Sequence, residues 1–153
     1  MSRLTRGRRR SSVFVGSALL ALALGVSVGL AKSGPGQVRV LMYPGFSCPV
    51  STNKKPVGTG TLIRTKGVIK VRVDLHDAVP GKYVLVVGKF DPDVGNCILE
   101  SPGHIDTFGV DSSGDGQGSG SFVSTSKQTY IIGVFGLDAP VAYESPNTKL
   151  GSS

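Results

Sequence analysis

The stretch Gly67-Val68-Ile69-Lys70-Val71-Arg72-Val73-Asp74-Leu75 decides the fold class. Apolar side chains stand at positions 69, 71, 73 and 75, and Lys70, Arg72 and Asp74 alternate with them. Successive side chains of a β-strand point to opposite faces of the sheet. The alternation therefore predicts a strand with one buried face and one face in water.

Short apolar runs of the same kind continue on both sides of this stretch. Gly and Pro recur between them, and no helical period of 3.6 residues is visible from position 37 to 146, which is typical of short strands joined by turns. The run from Lys82 to Val87 is nearly all apolar, which predicts a central strand covered on both faces. The predicted strands span 37–43, 60–64, 67–75, 82–87, 96–100, 105–110, 120–125, 130–135 and 141–144.

This spacing predicts an all-β fold. It is typical of a Greek-key β-sandwich, including immunoglobulin-like sandwiches, or of a flattened barrel of about eight strands. Residues 37–146 form the predicted domain, preceded by a flexible linker at 32–36 and followed by a disordered tail at 147–153. About 110 residues are enough for one domain with its own core.

The first 31 residues predict an export signal, a helix that precedes the domain. Five arginines and no acid lie in the first ten residues, and positions 13–30 carry no charge. Gly29 and Ala31 then offer small residues to a signal peptidase. An uncleaved membrane anchor fits the same run, and Arg9-Arg10 leaves a twin-arginine signal as a further alternative. All of these predict a secreted, periplasmic or cell-surface protein.

The export signal also explains most of the positive charge of the chain. The whole sequence carries 17 basic and ten acidic residues, a net charge of +7. Positions 1–31 hold five of the basic residues and none of the acidic ones, so twelve basic and ten acidic residues remain, a net charge of +2. No basic run with interleaved aromatic residues remains, and we therefore predict no nucleic-acid partner. Membrane contact is expected only through an uncleaved N-terminal segment, and a protein or surface partner stays open.

Cys48 and Cys97 are the two cysteines of the chain. In an exported protein such a pair predicts a disulfide, and two buried free thiols are the alternative. The bridge closes a loop that the chain-entropy model values at about 4 kcal/mol. The chain has no Cys-x-x-Cys spacing, which argues against a structural zinc-thiolate site.

Two clusters carry candidate metal ligands. The segment from Asp111 to Gly116 places Asp111 and Asp115 in a loop that resembles the start of a calcium loop, but Phe122 stands where a closing Glu is needed. A Gly-rich hairpin turn explains the same residues. His104 and Asp106, two apart on a predicted strand, share a face and offer a weak zinc site or an ordinary hydrogen-bonded pair. We find no nucleophile elbow, zincin motif or phosphate loop, and predict no catalytic residue.

A loose resemblance to copper/zinc superoxide dismutases covers about 50 residues. It is carried by the segments Pro80–Asp91, Gly95-Asn96-Cys97, His104-Ile105-Asp106 and Asp111–Gly116. The resemblance implies a Greek-key fold. It also implies that the copper histidines fall on Val86, Gly88 and a position near Gly133, none of which has a metal-binding side chain, and that His104 and Asp106 match zinc-ligand positions. It further implies a disulfide partner in the C-terminal region, whereas Cys48 is the other cysteine here.

The sequence thus favours an exported, non-catalytic β domain of structural, adhesive or binding type that needs no cofactor. The alternative is a metal-binding protein with a degenerate superoxide dismutase-like fold, which holds calcium or zinc through His104, Asp106, Asp111 or Asp115. Fold alone does not decide between these two functions.

Overall fold

The computed structural model describes residues 36–48, 50–91, 93, 95–124 and 128–151 of the 153-residue chain. The predicted signal or anchor at 1–31 and most of the linker at 32–36 lie outside these ranges. Within the described ranges no helix has the length and apolar character needed to cross a bilayer.

Every regular element in the described part of the chain is a β-strand, as the sequence predicts. The strands are β1 (Gln37–Pro44), β2 (Gly58–Thr65), β3 (Val68–Leu75), β4 (Gly81–Asp91), β5 (Asn96–Val110), β6 (Gly116–Val123), β7 (Thr129–Gly136), β8 (Ala142–Glu144) and β9 (Thr148–Lys149).

The strands form one antiparallel sheet that closes into a barrel. The order is β4-β5-β6-β3-β2-β1-β8-β7, and β7 pairs back onto β4 from Tyr83↔Gly136 to Lys89↔Tyr130. Because β7 lies beside β4 while β4, β5 and β6 follow one another, these four strands have the order of a Greek key. Of the two predicted architectures the chain thus adopts the closed barrel. The alternative of two separate stacked sheets is wrong, because the pairing of β4 with β7 joins the two ends of the sheet.

The interior of the barrel is filled by alternate residues of the strands, and for β3 these are the residues that the period-two pattern predicts. From β3 it receives Ile69, Val71, Val73 and Leu75, each at most 2% exposed. From β4 it receives Tyr83, Leu85 and Val87, each fully buried. The β2–β3 hairpin closes through Lys66 and Gly67, whose φ angles of 49° and 79° are those of a tight two-residue turn.

The structure differs from the sequence predictions at two strands. Residues 96–100 and 105–110 belong to one strand, β5, with breaks in its register against β4 near Val86. The predicted disordered tail is wrong for residues 148–150. Thr148 and Lys149 pair with β7, and Leu150 is 4% exposed and packs into the core. Burial of the Leu150 side chain holds the tail against the barrel. The polar residues beside Leu150 in the sequence give no sign of this tertiary contact.

The connection between β1 and β2 forms a second layer over the outside of the barrel. Phe46 packs edge-on against Phe135 of β7, with ring centroids 4.7 Å apart. Directly opposite residues of neighbouring strands share a face, so Val86, Gly133 and Glu144 lie side by side on the outward face of β4, β7 and β8. Val86 is nevertheless only 7% exposed and Glu144 is fully buried, since this connection covers them.

Candidate functional site

His104 and Asp106 both lie on β5, but each has a local hydrogen-bond partner. His104 Nε2 is 3.0 Å from Thr107 Oγ1. Asp106 accepts the Thr107 N–H through Oδ1 at 2.8 Å and the Ser119 N–H through Oδ2 at 2.9 Å. The Asp106 carboxylate thereby ties β5 to β6.

Asp111 and Asp115 lie in the turn between β5 and β6. Asp111 Oδ1 accepts the N–H groups of Ser113 and Asp115 and the Ser113 hydroxyl, at 2.6 to 3.1 Å. These hydrogen bonds lower the pKa of Asp111, with the bond from the Ser113 side chain the largest cause. Asp115 Oδ1 lies 2.7 Å from Nδ1 of His76, which directly follows β3 where that strand pairs with the start of β6. The loop thus has the hydrogen bonds of a hairpin turn.

The positions at which the resemblance would place copper histidines lie on neighbouring strands. Val86 and Gly88 are on β4, and Gly133 of β7 is opposite Val86. A side chain built on Gly133 would begin 3.0 Å from a Val86 methyl group, so the two residues pack closely. Neither side chain carries a metal-ligand atom.

The described residues contain one group of three or more His, Cys, Asp or Glu side chains whose ligand atoms all lie within 4.8 Å of one another. It consists of Cys48, Cys97 and Glu144. The four sequence-predicted metal candidates therefore do not meet in a group of this kind.

Cys48 and Cys97 are joined by a disulfide, as the sequence predicts. Their α-carbons are 5.8 Å apart, within the range that a disulfide permits. Cys48 belongs to the β1–β2 connection and Cys97 to the start of β5, so the bond fastens the covering layer to the barrel.

Glu144 lies under this disulfide and was not a sequence candidate. Its Oε2 accepts the N–H groups of Ser47 at 2.9 Å and Cys48 at 3.3 Å. Its Oε1 is buried and has no hydrogen-bond partner among the residues that the structure describes. Burial raises the pKa of the Glu144 carboxyl above its ordinary value of 4.5, although the two backbone donors oppose the shift.

The raised pKa makes stability depend on pH in a direction that can be measured. Between the ordinary and the raised pKa the native state binds more protons than the unfolded chain, so the free energy of unfolding falls as pH rises through this interval. Glu144→Gln removes the titration. We expect wild type to lose stability relative to Glu144→Gln as urea melts move from pH 4 towards neutrality; parallel pH profiles would contradict the burial argument.

A second candidate site is a groove of about 650 Å³ on the outward face of β1, β2, β3 and β6. The strand register builds its floor in two rows across the four strands. One row is Arg39-Thr61-Arg72-Ser119, and the other is Gln37-Ile63-Lys70-Ser121. Basic, hydroxyl and amide side chains thus converge on one open surface.

The groove has an excess of positive charge. Arg72 forms hydrogen bonds with both carboxylate oxygens of Asp74 at 3.0 to 3.2 Å. Burial opposes ionisation of Asp74, but the hydrogen bonds from Arg72 and Gln117 outweigh it and lower the pKa of this carboxyl. Arg39 and Lys70 are exposed, and in the described part of the chain neither has a carboxylate within ion-pair distance. Two cations therefore remain available to a ligand.

The alternation on β3 pointed to a wet face with Lys70, Arg72 and Asp74, but not to the groove. The residues that complete it come from three other strands, so residues as far apart in the chain as Gln37 and Ser121, 84 positions, have to meet in one groove. Comparisons with protein-family models, curated proteins and solved structures found no match. The function is therefore inferred from the groove and from the cluster around Glu144.

Proposed function

We propose that this chain is an exported, non-catalytic binding domain whose groove holds an acidic polysaccharide. The observation that carries the proposal is the pair of rows across β1, β2, β3 and β6, in which Arg39 and Lys70 are uncompensated cations among hydroxyl and amide groups. Carboxylate or sulfate groups of a sugar chain supply the opposite charge. The hydroxyl and amide groups of the protein can form hydrogen bonds with the sugar hydroxyl groups that lie between those charges.

The shape of the groove supports an extended ligand. It lies on the face of a sheet and is open to solvent, with neighbouring strands about 4.8 Å apart, so Arg39 and Arg72, two strands apart, are spaced by about 10 Å. A polymer with repeated charges can contact several of these groups together.

The lining also argues against two other ligand classes. None of the residues that line the groove is aromatic. Neutral sugars and single-stranded nucleic acids gain much of their affinity by stacking on aromatic side chains. The groove offers charge and hydrogen bonds instead, which favours an acidic ligand rich in hydroxyl groups.

The location outside the cell remains part of the proposal and is supported by the N-terminal sequence pattern and by the disulfide. The resemblance to superoxide dismutases likewise remains a proposal about the fold, supported by the Greek-key order of β4 to β7. Because Val86, Gly88 and Gly133 offer no ligand, the proposal includes no dismutase activity.

Binding of polygalacturonate tests the proposed function. We expect the full chain to bind this polymer but not neutral dextran, and the affinity to fall as salt screens the exposed charges. The double variant Arg39→Gln/Lys70→Gln should bind about tenfold more weakly, since each exposed ion pair contributes up to about 1 kcal/mol. Isothermal titration calorimetry measures both effects.

The matched control is Lys82→Gln/Lys149→Gln. It removes the same net charge from exposed positions on β4 and β9. This control should bind like wild type. Equal weakening in the two double variants would show that net charge, not the groove, attracts the polymer. Equal affinity for dextran or for polyglutamate would overturn the assignment to an acidic sugar.

A further inference from the structure

We propose that reduction of the Cys48–Cys97 disulfide creates a zinc site, with the two thiolates and the Glu144 carboxylate as ligands. The proposal is independent of the groove, which lies on other strands. It also differs from the metal alternative that the sequence suggests, since it uses none of the residues His104, Asp106, Asp111 or Asp115.

The first observation is the proximity of the three donors. The sulfur atoms of Cys48 and Cys97 and a carboxylate oxygen of Glu144 all lie within 4.8 Å of one another. A zinc ion binds sulfur at about 2.3 Å and carboxylate oxygen at about 2.0–2.2 Å. Ligands around one tetrahedral ion are separated by about 3.5–4 Å. The carboxylate oxygen, within 4.8 Å of both sulfur atoms, therefore lies near the distance that zinc needs, and the two bonded sulfur atoms have to move apart.

The second observation is the Glu144 carboxylate itself. Glu144 is 0% exposed, and in the described part of the chain Oε1 has no hydrogen-bond partner. A buried oxygen without a partner is costly in a folded protein. The Ser47 and Cys48 N–H groups hold Oε2 and so orient the carboxylate, as the hydrogen-bonded partners of metal ligands commonly do. Coordination through Oε1 would satisfy the remaining atom.

The disulfide is accessible and one of its ends can move. Both cysteines are partly exposed, so a small reductant can reach them. Cys48 has a φ angle of 36°, in the left-handed region that favours glycine. Opening the bond removes the covalent link between the two sulfur atoms, so that they can separate to the spacing of zinc ligands.

The chemistry balances with a dithiol as the reductant. The dithiol transfers two electrons and two protons, the Cys48 Sγ–Cys97 Sγ bond breaks, and the dithiol closes to its own disulfide. Zinc then displaces the two thiol protons to solvent, and the ionised Glu144 completes three protein ligands. A water molecule supplies the fourth position of a tetrahedral ion. The two soft thiolates make this ligand set prefer zinc to calcium, which binds oxygen ligands only.

Cobalt, which reports thiolate ligation by its absorption, serves as the probe. The full chain is reduced with a phosphine, freed of reductant and titrated with Co²⁺ under argon. We expect one equivalent to produce a thiolate-to-cobalt charge-transfer band and tetrahedral visible bands, and Zn²⁺ to displace it. The oxidised chain should show neither. Circular dichroism of the same samples reports whether the barrel stays folded.

The variants distinguish a metal site that includes Glu144 from two thiols that bind the ion without it. Glu144→Gln should weaken cobalt binding by at least the 10- to 100-fold that loss of a second-shell partner causes, and Cys48→Ser should abolish the charge-transfer band of the bound ion. Asp115→Asn and His104→Gln are controls that should bind like wild type. A spectrum unchanged in Glu144→Gln would overturn the proposal. So would a barrel that unfolds on reduction and is not restored by Co²⁺ or Zn²⁺.

Discussion

The double variant Cys48→Ala/Cys97→Ala should have a free energy of unfolding about 4 kcal/mol lower than wild type. The bridge spans a sequence separation of 49 residues. Without it the unfolded chain regains the entropy of that loop. Because small domains are stable by only about 5–15 kcal/mol, this is a large share of the total.

The loss should also loosen the layer that the disulfide fastens to the barrel. Val86 and Ile131 are 7% and 2% exposed, yet they lie outside the main core. Hydrogen exchange should therefore rise first at these positions and near Glu144. Urea unfolding, with the m-value checked for two-state behaviour, measures the stability change. A dithiol should reproduce the change in wild type and have no effect on the double variant, whereas equal stability of the two chains would contradict the prediction.

The variant Ile132→Ala should destabilise the barrel by about 2–5 kcal/mol, because it removes buried methyl groups and leaves a cavity. Ile132 of β7 is fully buried in the main core. Inside the barrel its Cδ1 atom points at Gly60 of β2, and a Cβ added to Gly60 would begin 2.5 Å from it. A methyl group added at position 60 would therefore force the Ile132 side chain to shift.

A double-mutant cycle tests this fit directly. Gly60→Ala alone should destabilise by about 1–3 kcal/mol through overpacking. In the Ile132→Ala background the same change has room, so the double variant should be more stable than the sum of the two single effects predicts. Val123→Ala is the control, since Val123 is 76% exposed and its truncation should have little effect. Additive free energies within about 0.5 kcal/mol would show that the two residues do not constrain each other.

The candidate sites were less predictable than the strands. The sequence made Asp106 and Asp111 candidate metal ligands, because acidic residues among Gly and Ser suit a cation. In the structure the same two carboxylates accept the hydrogen bonds of a turn and of a neighbouring strand. The sequence did not make Glu144 a candidate, because a single Glu near a strand end is usually exposed. Its burial depends on a segment that is 96 and 97 residues away in the chain.

By itself, the sequence determined that this chain forms short strands, which side of β3 is buried, and which two cysteines pair. Period-two alternation and the cysteine count are local or compositional signals, and they survive in any tertiary arrangement. The tertiary structure decided that β4 pairs with β7 to close a barrel, that Leu150 joins the core, that Arg39 and Lys70 share a groove, and that Glu144 lies beneath the disulfide. These features arise from contacts between distant residues. Their energies depend on the register and on the covering layer, and no local pattern of residues encodes either.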